Sequence, residues 1–490
     1  MTSSSETEKK VKNWVLLYLG AVCFIIVPLY MRNGYFALIS AKARAFLYTV
    51  IPALIVIAVI VAAQLSSQIE KETINKDKSI WKPSTSFYLL SAIGIWSLIS
   101  SGLSQSFKLS LMGTAGWSVG SLMTVLLVIC TIYVSVQFQY KTYMALSVMA
   151  VNTFINLLAI LQSAGWDPFG LLRDIQSKLH YTYLSTIGQK NSFSGYLCLV
   201  LPLFWGAFIA CRDRVRKVLF GIFAVFGFMG IIVAESDSTY AGVGICILFM
   251  LPYVFRTEQH VKRSSILLMI YGGCLLTIRH LPVFAGKIAK FKGISLAMVK
   301  RPAAEVILIC GILLYLRGWK IIRGKRGRYI LIAIESALVM LISAYTVHET
   351  AHFNDKWGTK RGMIWRVGWE RFLNFPIRNK LTGIGPEMLT IVYREIRDAS
   401  GLNVISAHCE PLQVLLTLGI IGLGIYIVFW GYLLILFIKN RLWEENTAIL
   451  FFPLAAYWGQ SLFCSVYPVT SVVFCFISGM YLRYAEKSDI

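Results

Sequence analysis

The chain has 490 residues, of which 57% are hydrophobic and only 14% charged, and its mean hydropathy is +0.66. An ordinary soluble enzyme is excluded, because globular domains carry roughly a quarter charged residues to cover their surface. The net charge of +23 lies between apolar segments, where it sets topology and meets anionic lipid or phosphate; no basic folded domain suited to nucleic acid stands out.

The apolar residues come in blocks of bilayer length. About fourteen candidate spans follow in chain order, at roughly 13–31, 45–64, 86–102, 117–136, 142–162, 191–211, 217–235, 239–255, 264–280, 302–316, 329–346, 411–438, 447–466 and 468–484. The expected fold is therefore all-α, a polytopic membrane helix bundle of about twelve to fourteen spans. The polar stretch before the first block carries Lys9, Lys10 and Lys12, and no small-residue cleavage site follows, so that block is expected to be a spanning helix and not a signal peptide. Lysine and arginine cluster at 9–12, 71–82, 212–217 and 317–328, which predicts both termini on the cytoplasmic side of a plasma membrane. The 281–301 loop, with Lys287, Lys290, Lys292, Lys300 and Arg301, departs from that bias. Cys23, Cys130, Cys198, Cys246, Cys310 and Cys475 lie inside apolar runs and read as buried small hydrophobes.

The longest polar break, 347–410, separates spanning regions at 1–185 and 186–346 from a C-terminal one at 411–490. It is expected to fold as a small helical extracytoplasmic cap. Lys360 to Leu373 is amphipathic and stops at Asn374-Phe375-Pro376. The turn at Gly383-Ile384-Gly385-Pro386 is expected to open a second helix, with Pro386 at its first position, that closes near Gly401. The cap is strongly basic, and arginine forks bind phosphate oxygens bidentately; a solvated face against anionic headgroups would account for the same composition. Arg366 and Glu370 can pair on the solvent side, which leaves Arg361 as the ligand-facing cation, on the face of Trp365, Trp369 and Phe372. That tryptophan stripe reads as packing before it reads as a sugar platform.

Three further clusters stand at helix ends on the same predicted face. His408 lies just outside the helix opened by Glu410-Pro411, where the dipole disfavours imidazolium and leaves a neutral ring able to accept a proton. Gln189-Lys190-Asn191-Ser192 opens another span, as a phosphate site or a simple N-cap. Ser236-Asp237-Ser238-Thr239 forms a turn whose Asp237 needs a partner, and one of these cations can supply it. His348-Glu349-Thr350-Ala351-His352 matches H-E-x-x-H and raises a membrane zinc protease as a minor alternative.

The order of these clusters resembles the O-antigen ligase and Wzy-type polymerase family of membrane glycan transferases, over roughly residues 185 to 436. Gly188-Gln189-Lys190-Asn191 looks like that family's Gly-Asn-Pro-Asn motif. Ser236-Asp237 stands where many members have Ser-Arg. Lys360-Arg361-Gly362-Met363-Ile364-Trp365-Arg366 is similar to Gly-Arg-x-x-x-Trp-Arg, Gly383-Ile384-Gly385-Pro386 to Gly-x-Gly-Pro, and Ala407-His408-Cys409-Glu410 to Ala-His-Asn-Glu. The resemblance implies transfer of a polyprenyl-diphosphate-linked glycan to a glycan, lipid or protein acceptor at the bilayer, without nucleotide sugar, cofactor or required metal. Arg361 would then bind diphosphate, with Lys190, Asn191, Ser236 and Arg366 in supporting contacts. His408 would act as base or position the acceptor, and Glu410 would orient His408 or the acceptor. A flippase for lipid-linked glycans is the competing reading, although ionisable residues within the spans are few, chiefly Glu305 and Glu335.

Overall fold

A computed structural model describes residues 2–75, 83–113, 119–300, 302–322, isolated positions between 324 and 340, and then 352–400, 404–440 and 444–486. The chain is an all-α bundle. Nine helices among the described residues are long and apolar enough to cross a membrane. They are α1 (Glu6–Leu29), α2 (Leu38–Gln64), α3 (Thr85–Gly102), α5 (Thr142–Ser163), α6 (Lys190–Ala210), α7 (Arg214–Ala234), α8 (Asp237–Val254), α9 (Glu258–His280) and α12 (Glu410–Lys439). Four more lie on predicted spans: α4 (Ser121–Gln137), α10 (Ala303–Leu313), α13 (Glu445–Ser461) and α14 (Pro468–Ala485). The predicted span at 329–346 lies largely outside the described residues.

Hydropathy places each helix relative to its neighbours. α6 is apolar all round and forms the centre, with Phe193, Tyr196, Leu199 and Val200 fully buried. Its neighbours α7, α8, α13 and α14 enclose it. Gly242 of α8 lies against the Ala456 carbonyl of α13, where any β-carbon would collide, so the two helices pack backbone to backbone. The outward sides stay apolar, with Ile55, Val59, Ile309, Leu316 and Ile427 all exposed, as lipid contact requires. Cys310 faces this exterior and is exposed, against the expectation of burial.

Two local devices satisfy backbone groups that apolar surroundings would leave unpaired. Lys42 of α2 is buried and donates to the carbonyls of Val27, Pro28 and Tyr30, at 2.9, 2.8 and 3.1 Å, so its ammonium closes the C-terminal end of α1. α12 breaks at Gly419, whose φ of 71° suits glycine alone at little cost. The freed carbonyls are taken up from outside the helix. The Ile384 and Gly385 amides donate to Leu416 and Thr417 at 3.1 and 2.9 Å, the Ser100 hydroxyl to Thr417 at 2.8 Å, and the Trp96 indole to Leu418 at 2.9 Å.

The loops fall into two groups at opposite ends of the bundle. One end gathers the turns at 164–189, 235–236 and 281–300 with the segments 352–400, 404–409 and 462–467; the other gathers the turns at 211–213 and 255–257 with both described chain ends. In the 352–409 segment, helix α11 (Trp357–Leu373) ends at Asn374 as the sequence predicts. The helix expected from Pro386 is not continuous. Glu387 adopts a left-handed φ of 62°, and two short helices follow, Leu389–Val392 and Arg394–Ser400. The reason is the broken α12: its carbonyls hold the Ile384 and Gly385 amides extended away from a helical start.

Candidate functional site

Four helices begin at the end that carries α11, and side chains from the connectors tie their first turns together. α6 starts at Lys190 with Gln189 as N-cap, entered through a two-residue antiparallel ladder pairing Tyr183 with Gln189. The Tyr467 hydroxyl, just before α14, donates to Gln189 Oε1 at 2.6 Å. Ser236, the N-cap of α8, donates to Asn191 Oδ1 at 3.3 Å and shares a hydroxyl contact of 2.9 Å with Ser238. Cys464 then donates to Ser238 at 3.1 Å, and its neighbour Ser465 meets His408 Nδ1 at 3.1 Å. Hydrogen bonds thus link Asn191 through Ser236 and Ser238 to Cys464, and the next residue, Ser465, carries the contact on to His408. Along this path, the N-terminal ends of α6, α8, α12 and α14 collect their positive dipoles in one region.

Arg361 joins the same region. Gly358 and Lys360 take left-handed φ values of 57° and 73°, which distort the first turn of α11 immediately before the arginine. Its charge acts on His408, Cys464 and Tyr467 alike. His408 itself sits at φ 52°, a conformation that a non-glycine residue keeps only where its surroundings impose it. The Ser406 hydroxyl accepts its amide at 3.2 Å, while Ser406 donates to Gln413 in the first turns of α12. Burial, followed by the Arg361 charge, pushes the His408 imidazole down to about 4, so the ring is neutral at pH 7.

Lys190 stands on the other flank, 3.8 Å from Glu235 Oε2 and above the ring of Tyr181. Glu235 ends α7 in a left-handed conformation that turns its buried carboxylate back under the site, and it also accepts the Lys292 amide at 3.1 Å. Lys287, from the same 281–301 loop, is buried beside it. Burial lowers this ammonium to about 8; Glu235 opposes that shift, and Lys190 and Lys290 add to it. Two ammonium groups, those of Lys190 and Lys287, therefore face one carboxylate.

Other predicted residues are placed differently. Arg366 is exposed, with its fork bound to Asp355 at 2.7 Å and to Glu370 at 3.1 Å, so the pairing with Glu370 is present and the fork already holds two carboxylates. Among the described residues no contact joins the Glu410 carboxyl to the His408 ring. That carboxyl faces Ser461, with Tyr426 and Tyr457 nearby, because the first turn of α12 points it into the bundle, and Ser465 takes the orienting position instead. Asp237 accepts the Ile294 amide at 2.8 Å, and no cation pairs with it among the described residues. Glu305 sits in the first turn of α10, paired with Arg279 near the end of the bundle; Glu335 lies outside the described residues, as do His348 and Glu349 of the H-E-x-x-H match, whose His352 is exposed.

Cys464, Ser465, Tyr467, Glu235 and Lys287 were not singled out from the sequence. The apolar windows of the neighbouring spans hide Cys464, Ser465 and Glu235, Tyr467 falls in the single-residue gap between two windows, and the only signal for Lys287 was a lysine-rich loop against the topology bias. Chemically, the cluster offers forked and point cations for an anion, neutral hydroxyls, and an imidazole free at Nε2. No protein-family model matches the chain, and no curated protein matches it.

Proposed function

We propose that this multi-pass membrane protein is a glycan transferase that moves a polyprenyl-diphosphate-linked oligosaccharide or polysaccharide onto an acceptor hydroxyl, as an O-antigen ligase or surface-polysaccharide polymerase does. The observation that carries this reading is the convergence of Arg361 and His408, residues of separate segments, beside four helix N-termini and the Lys190–Glu235–Lys287 cluster. In the proposed reaction the acceptor oxygen attacks the anomeric carbon, the bond from that carbon to the diphosphate oxygen breaks, and the diphosphate leaves with the bonding pair. Arg361 and the lysines stabilise the charge that develops on it. The acceptor proton passes to His408 Nε2, and Ser465 accepts from Nδ1–H to hold the tautomer that allows this. A free imidazole at about 4 is a weak base, and an arriving diphosphate offsets the Arg361 charge and strengthens it. On this reading the 352–409 segment is an extracytoplasmic cap and both termini are cytoplasmic, which the basic loops at 9–12 and 212–217 support.

The test is turnover of lipid-linked glycan by purified protein. Arg361→Ala should abolish transfer, and Arg361→Lys should restore it only in part, since an ammonium lacks the bidentate fork. Arg371→Ala should be tolerated, because Arg371 makes an exposed pair with Glu395 on α11. Native turnover by Arg361→Ala would overturn the reading.

A further inference from the structure

At the opposite end of the bundle, two cavities meet at Ala210. One, of about 410 Å³, is lined mainly by polar side chains, and Arg212, Arg256 and Arg263 reach it from the α6–α7 turn, the α8–α9 turn and α9, with Glu445 as the single carboxylate among the described lining residues. The other, of about 610 Å³, is apolar, walled by Phe24, Leu203, Phe204 and Phe476, with Lys141 and Arg216 also on its lining. Trp14, Tyr140 and Tyr143 also line it and are exposed; such amphipathic rings mark the level of lipid headgroups.

Three guanidiniums against one carboxylate form a binding place for an anion. Arg263 spends one donor on the Ile209 carbonyl, at 2.6 Å, and retains the others of its fork. An apolar cavity that borders such a pocket at Ala210 supplies, with it, the two halves of an amphiphile's shape. We propose that the pair of cavities holds one anionic phospholipid of the leaflet at this end, its phosphate on Arg212, Arg256 and Arg263 and an acyl chain in the apolar cavity. Surplus positive charge selects an anionic headgroup and rejects a choline. The lipid would join the α6–α7 turn, the α8–α9 turn and α13, none of which belongs to the proposed transfer site, so the inference stands apart from that reading.

Native mass spectrometry of the detergent-purified full chain tests it, using phosphatidylglycerol, phosphatidylcholine and inorganic phosphate as probes. One phosphatidylglycerol should be retained at least about tenfold better than phosphatidylcholine, and thermal stability should rise with the first lipid only. Arg212→Gln with Arg256→Gln, which leaves the Arg263 bond to Ile209 intact, should remove that preference while the protein stays folded. Leu203→Trp, which fills the apolar cavity, should lower retention without changing headgroup preference. Equal retention of both lipids, or an unchanged preference in the double variant, would overturn the proposal. Stabilisation by inorganic phosphate equal to that by phosphatidylglycerol would also overturn it, by showing a site for a soluble anion.

Discussion

The Trp365 indole N–H donates to the Ala407 carbonyl at 3.0 Å, which fastens α11 one turn beyond Arg361 to the residue immediately before His408. This bond brings a cation and an imidazole from separate stretches of chain to one place. Phe463 packs against both Trp365 and Trp357, so the connector that carries Ser465 is gripped by the same aromatic group.

Trp365→Phe keeps the ring and removes the donor. The loss of one hydrogen bond costs about 1 kcal/mol, so the thermal midpoint should fall by only a few degrees. Transfer should fall much further, on the order of tenfold to a hundredfold, because misplaced reacting groups lose rate steeply. Parallel measurement of unfolding and glycan turnover checks this, and equal small losses in both would show that the bond does not position the site.

The spanning helices and the start of each motif were legible because apolar runs and N-cap residues are local signals. The connector at 462–467 was not. Leu462-Phe463-Cys464-Ser465-Val466 is apolar enough to extend the window of α13, and only contacts with Ser238 and His408, far away in the chain, reveal it as the hub. Glu235 was hidden in the same way at the end of α7. The break at Gly419 could not be anticipated either, since it depends on amides of Ile384 and Gly385 arriving from another segment.

His408 should titrate near 4 in the unliganded protein, against an ordinary 6.5. The folded value lies below the ordinary one, so this group's contribution to stability is complete above pH 6.5 and is lost as pH falls towards 4. Arg361→Gln removes the second cause and should move the titration up, while burial, the first, keeps it below 6.5. Histidine-selective NMR referenced to His408→Asn reads both values; a titration at 6.5 in the native chain would place the ring in water.

Lys287 carries its charge below about pH 8 and loses it above. Affinity for pyrophosphate should therefore fall as pH rises through 8. In Lys287→Met, affinity should be weaker throughout and this extra step should vanish. Calorimetry of both proteins between pH 7 and 9.5 would show it, and parallel curves would remove Lys287 from the anion site.

Gly419→Ala places a side chain at a φ of 71° and against the Leu381 carbonyl. A cost of about 1–3 kcal/mol is expected, visible as a lowered midpoint in thermal unfolding. Gly424→Ala, on the same helix with open space around it, should change little.

Lys42 bears on how the chain enters the membrane. Among the described residues no acid pairs with its ammonium, which donates to carbonyls at the end of α1. During synthesis, α2 would bring a bare charge towards the hydrocarbon unless α1 already stood there to receive it. The first two helices are thus suited to enter as a hairpin, in which the end of α1 receives the charge that α2 brings.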